Sequence, residues 1–120
     1  MDRAKSSLSE ARVMFENSFL FAALNRCYYA AFYAATALLL TKSKSSSKHS
    51  GVLSLFRSHV VKAGLISAES GRFYGELYKY RLKTDYDDYA ELRTLEALSW
   101  LDKATQFVNQ IDAIIEEKLS

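Results

Sequence analysis

The stretch from Phe19 to Leu40, FLFAALNRCYYAAFYAATALLL, constrains this chain more than any other. It reads as one long helix, apolar or aromatic on nearly every side, with Asn25 and Arg26 set inside it. A helix that is hydrophobic all round is a buried helix. A guanidinium within it must find partners or reach water, because an unpaired buried charge is very costly. Arg26 therefore sits at an internal polar network, at a groove or at a subunit interface.

The surrounding composition favours helices. The 120 residues include no proline and only four glycines, so little interrupts a helical ladder. A chain of this length reads as one domain over residues 1–120, and buries roughly two thirds of its unfolded surface. The formal net charge of +2 is too small to point to nucleic acid by itself, so any basic patch must be local. Cys27 is the only cysteine, which removes an intrachain disulfide and fits a reducing cytoplasm. MDRAKSSLSEAR has no apolar core of the signal-peptide kind. Cys27 to Thr41 is uncharged but too short to span a bilayer comfortably, so no membrane role is expected.

Hydrophobic spacing and punctuation predict an all-α protein. A first helix covers about Asp2 to Glu16, with Leu8, Ala11, Arg12 and Phe15 at helical spacing. Ser18 is the expected N-cap of the second helix, which runs to about Lys42. The serine-rich, basic KSKSSSKHSG is the clear loop. A third helix follows over Gly51 to Lys62, with Val52, Leu55, Phe56, His59 and Val60 on one face and Gly64 as its stop. Ser67 caps a fourth helix running to about Thr84. Gly71 and Gly75 share a face of that helix, either admitting a close neighbour or simply weakening it. Thr84 to Leu92 reads as an acidic, tyrosine-rich turn. From Thr94 to about Lys118, Leu95, Leu98, Leu101, Thr105, Val108, Ile111, Ile114 and Ile115 recur every three or four positions. The sum is an antiparallel up-and-down bundle of four main helices plus one short one.

No metal motif, phosphate-binding glycine loop or spaced catalytic triad is present, and no cofactor is expected. Three polar constellations stand out. Arg26 shares a helix face with Tyr29 and Tyr33, where arginine can stack on a ring, grip a phosphate, or form an ion pair with Asp85, Asp87 or Asp88. Lys42, Lys44, Lys48 and His49 lie in one loop opening onto a helix N-terminus, a setting that suits an anion or is simply a solvated loop. Arg81 precedes Asp85 and Tyr86 by about one turn, as a polar groove or as an exposed ion pair.

Together, LNRCYYAAFYAATALLL, KHSGVLSLFRSHVVKAGLI, YKYRLKTDYDDY and the long last helix resemble a small stand-alone HEPN-domain protein over almost the whole chain. The resemblance implies a helical bundle, often homodimeric, in nucleotide and RNA biology, with a nucleotidyltransferase-fold partner in toxin–antitoxin pairs. Many such proteins are metal-independent RNases marked by arginine, four to six residues, then histidine. This chain departs from that signature. Tyr86, Asp87 and Asp88 follow Arg81 at those positions, and neither His49 nor His59 has an arginine at the required distance upstream. A phenol with a pKa near 10 is a poor base at neutral pH. The expectation is therefore a dimeric binding or regulatory module contacting its ligand through Arg26, Tyr29, Arg81, Asp85 and His49. The alternatives are a variant RNase, with His49 or His59 brought in from elsewhere, and a non-catalytic dimeric scaffold.

Overall fold

A computed structural model describes residues 1–82 and 94–119. Among these residues, five α-helices follow in order: α1 (Asp2–Glu16), α2 (Leu20–Thr41), α3 (His49–Phe56), α4 (Ala68–Leu82) and α5 (Thr94–Leu119), with a π-helical turn at Arg57–Val61 directly after α3. The expected all-α bundle, four main helices and one short one, is what forms. α2 runs through its centre and touches α1, α3, α4 and α5. Ten α2 residues are buried, among them Leu24, Cys27, Tyr28, Leu38 and Leu39. No described helix is long and apolar enough to cross a membrane.

Small residues set how closely α1 and α2 approach. Ala4, Ser7 and Ala11 are the buried positions of α1. They face a helix whose own Ala30, Ala31, Ala34 and Ala35 are fully buried. Side chains this small let helix backbones pack closely, through dispersion contacts rather than large side-chain burial. α5 supplies the bulk: Leu101, Ala104, Phe107, Val108 and Ile111 are buried at steps of three and four. Leu98, expected on that stripe, is 44% exposed near the start of the helix.

The chain reverses through one repeated device. At the end of α1, the Ser18 N–H bonds to the Phe15 carbonyl and the Phe19 N–H to the Met14 carbonyl, with Ser18 in the left-handed region at φ 62°. This is a Schellman turn. Ser18 therefore terminates α1, and Phe19, not Ser18, is the N-cap of α2. Ser43 (φ 59°) and Gly64 (φ 76°) close α2 and the π turn in the same way. Gly64 stops its helix as expected, where a side chain would add strain. At α4, the Ser67 hydroxyl accepts from the Ser70 N–H at 3.1 Å, the N-cap bond anticipated from sequence.

The third helix differs most from expectation. It begins at His49 rather than Gly51, and its second half widens into the π turn, where the Lys62 N–H bonds to the Arg57 carbonyl. The wider turn lies against the two glycines of α4. A Cβ on Gly71 would stand 2.7 Å from a methyl of Val61, and one on Gly75 would stand 2.6 Å from a guanidinium nitrogen of Arg57. The close-approach reading of this pair is therefore the structural one. The two positions differ in how readily the neighbour yields, since valine is stiff at χ1 while an arginine tip can move. Gly71→Ala is expected to lower stability by about 1 kcal/mol, overpacking outweighing the gain in helix propensity. Gly75→Ala is expected to be neutral or stabilising. Urea unfolding of both variants checks this contrast, and Val61→Ala should restore Gly71→Ala.

Candidate functional site

The candidate site grows from the first residue of α3. His49 turns inward, and its ring stacks on Phe32 of α2 with centroids 4.2 Å apart and planes 11° from parallel. Its Nδ1 lies 2.8 Å from the Tyr28 hydroxyl. Tyr28 is only 1% exposed, so this bond satisfies a hydroxyl that water does not reach. Tyr29 meets the same imidazole edge-on at 5.9 Å. Arg81, in the last turn of α4, lies 5.2 Å from the Tyr28 ring centroid and 5.8 Å from that of Tyr29. Three elements distant in sequence thus place a histidine, an arginine and two phenols around one point.

Beside this point a small cavity of about 20 Å³, room for about one water molecule, lies between α2 and α4, lined by Leu24, Asn25, Tyr28, Leu77, Tyr80 and Arg81.

Electrostatics set the protonation states. Burial, and then the positive charge of Arg81, push the His49 pKa below its ordinary value of 6.5. His49 is therefore neutral at pH 7. Burial raises the Tyr28 phenol, with Arg81 opposing it, so Tyr28 keeps its proton. A hydroxyl both donates and accepts, so Tyr28 serves either neutral tautomer of His49 and leaves Nε2 as the nitrogen for further chemistry. Burial pushes the Cys27 thiol up to about 12, an inert core group. Tyr74 is fully buried, and its hydroxyl has no hydrogen-bond partner among the described residues.

Arg26 takes the groove setting that was one of the alternatives, stacked on the Tyr29 ring. Its Nη2 donates to Asn25 Oδ1 at 2.7 Å. Its Nη1 lies 3.4 Å from Glu10 Oε2 on α1, and its guanidinium is 4.9 Å from the Tyr29 ring centroid. With its side chain 31% exposed, it lies at the α1–α2 groove. Asp85, Tyr86, Asp87 and Asp88 lie outside the described residues, and among those described the carboxylate at Arg26 is Glu10.

Tyr33 continues the same face, 5.9 Å from Tyr29. The lysines are placed separately. Lys42 caps α2 and sits beside Lys118 of α5, whose pKa burial and that like charge lower. It lies ten residues along α2 from Phe32, about 15 Å at the rise of a helix. Lys44 and Lys48 are exposed. Sequence reasoning passed over Tyr28 and Phe32, which read as ordinary core aromatics. Their spacing of four was visible, but nothing local indicated that His49 would land on them.

The lowered His49 pKa has a thermodynamic consequence. The unfolded chain binds this proton more tightly, so stability from neutral His49 is complete above about pH 6.5 and lost as pH falls toward the folded value. Below both values the dependence ends. The melting temperature is expected to fall on acidification through this window, and to fall less in His49→Gln, which cannot titrate. Identical pH profiles for the two proteins would contradict the assignment.

Comparison with known proteins gives one consistent answer. The HEPN domain model matches residues 1–115. A "UPF0332 protein" of Thermotoga maritima is 40% identical over 115 residues, covering 96% of this chain and 87% of that protein. Two proteins of Methanocaldococcus jannaschii are also similar. "Putative toxin MJ0605" is 38% identical over 116 residues, covering 97% of this chain and 86% of its own length. "Putative toxin MJ0142" is 36% identical over 110 residues, covering 92% and 75%. With nearly its whole length matched by the domain model, the chain belongs to the HEPN-domain family.

Proposed function

We propose that this protein is the toxin half of a toxin–antitoxin-type pair, and that it acts on RNA or a nucleotide at the His49–Arg81–Tyr28 cluster. The observation that carries the reading is the convergence of His49 and Arg81 on one tyrosine pair. Relatives named as toxins support the toxin assignment. In this reading Arg81 holds a phosphate through charge-assisted hydrogen bonds, and the rings of Tyr28 and Tyr29 fix its plane. The lysines of the loop, Lys42, Lys44 and Lys48, add long-range attraction for a polyanion. The protein works in the cytoplasm as a homodimer, with a nucleotidyltransferase-fold protein as its antitoxin.

His49 favours a second reading, RNA cleavage. The family signature carries its histidine on the same helix as the arginine, and here α3 supplies one instead. A neutral imidazole at pH 7 can take the proton of a ribose 2′-hydroxyl as that oxygen attacks the adjacent phosphorus. The P–O bond to the next nucleoside breaks, leaving a cyclic phosphate, and the departing 5′-oxygen takes a proton from solvent to become a hydroxyl. Arg81 would stabilise the charge that builds on the phosphoryl oxygens.

Expression in a bacterial host separates these readings. Wild-type protein is expected to arrest growth, and Arg81→Ala to relieve the arrest. If total RNA is fragmented during arrest and His49→Ala abolishes the fragmentation, His49 takes part in cleavage. Arrest with intact RNA leaves binding as the activity. Unimpeded growth at high expression of the wild type would sink the toxin assignment.

A further inference from the structure

The solvent face of α4 carries a charge order that the site does not use. Glu69, Arg72, Glu76 and Lys79 are all exposed. At 3.6 residues per turn they fall within an arc of about 80° on one side of the helix. Arg81 stands nine positions after Arg72, which puts it on the opposite side. Arg57 of the π turn lies across Gly75, at the flank of the arc and outside it. The charged row and the His49–Arg81 cluster therefore occupy opposite faces of one helix.

The order of the row is antisymmetric. Arg72 and Glu76 lie two positions either side of Tyr74, with opposite charge. Glu69 and Lys79 lie five positions either side of it, again with opposite charge. Lay a second α4 antiparallel on this face, with a two-fold axis level with Tyr74. Arg72 then meets the partner's Glu76, and Glu69 meets the partner's Lys79. Two-fold symmetry repeats each contact, so the row supplies two kinds of ion pair, each made twice. Within their own chain, none of the four residues forms an ion pair with another described residue. Arg72 and Glu76 stand one turn apart, but the basic residue is nearer the N-terminus, the weaker order for a pair within one helix. Beside the row, a groove of about 700 Å³ lies between α4 and α5, with Glu69, Arg72 and Glu76 on one wall and Asp102 and Lys103 on the other. It leaves room for the long side chains of a second copy.

We infer that the exposed face of α4 is a self-association surface, on which a second copy of this chain docks through an antiparallel α4–α4 contact. Charge complementarity selects this occupant. A polyanion fits the face poorly, because Glu69 and Glu76 alternate with the cations along it. A second copy matches both signs at once. Exposed ion pairs are individually weak, so the association depends on several acting together and loosens as salt screens them. The inference rests on the homodimer reading above and names the surface that pairs. It leaves the His49–Arg81 cluster of each copy uncovered, on the far side of its α4.

Sedimentation velocity of the full chain, with charge reversals, tests this. Arg72→Glu alone and Glu76→Arg alone each set like charges opposite one another. Each is expected to weaken self-association by roughly tenfold or more. The double variant Arg72→Glu/Glu76→Arg exchanges the two charges and should restore it. An equimolar mixture of the two single variants should also associate, since each supplies the charge that the other lacks. Wild-type association should weaken between about 50 and 500 mM sodium chloride. Both positions are exposed, so the circular dichroism of every variant should match the wild type. An assembly that neither single reversal weakens overturns the α4 contact and leaves the homodimer reading standing. A double variant as weak as the single ones does the same. A wild type that stays monomeric at low salt overturns both.

Discussion

A phenol hydroxyl taken out of water must be hydrogen-bonded, or the fold loses about 1–3 kcal/mol in uncompensated desolvation. Tyr28 faces that demand at the centre of α2, where it is 1% exposed. Its partner is the imidazole of His49, the first residue of α3. That bond places the start of α3 against the middle of α2 and gives the Ser-rich connection a defined destination. The stacking of His49 on Phe32 fixes the same position through a second contact. Packing and polar satisfaction therefore specify one docking geometry, and the candidate site results from it.

Arg81 depends on the same ring. A buried tyrosine that keeps its proton offers a π face without a competing negative charge, so the guanidinium is held by quadrupole attraction and remains able to pair with an anion. Its charge in turn opposes protonation of His49. One arrangement thus keeps a cation ready for phosphate and an imidazole neutral. Arg26 works differently. Asn25 and Glu10 already engage it, which makes it a link across the α1–α2 groove as well as a cation over Tyr29.

Much of the fold was legible because its signals are local. Gly64 stops its helix and Ser67 caps the next for reasons confined to one turn of chain. The period of α5 names most of its core positions. Ser18 was misread because a serine between two helices can end one or start the other, and only the backbone angle distinguishes them. The π turn at Arg57–Val61 left no mark in the hydrophobic pattern, although the two glycines facing it did. The buried stripe of α1 is Ala4, Ser7 and Ala11, too small to register beside Leu8 and Phe15. At the site, Arg26 and Tyr29 were conspicuous within an apolar helix, whereas His49 read as part of a basic loop and Arg81 as part of a polar segment. Their convergence was not legible, because it depends on where α3 docks, and Tyr28 and Phe32 looked like plain core. Glu10 as the partner of Arg26 was missed for the same reason, lying on another helix.

The central claim is that His49 and Arg81 act on one another across Tyr28. The most direct measurement is an NMR titration of His49 in protein carrying ¹⁵N-labelled imidazole, in the wild type and in Arg81→Met. The account predicts a His49 pKa below 6.5 that rises when Arg81 loses its charge, and an Nδ1 signal showing a hydrogen bond that Tyr28→Phe abolishes. A His49 that titrates at its ordinary value and ignores both substitutions would contradict the account.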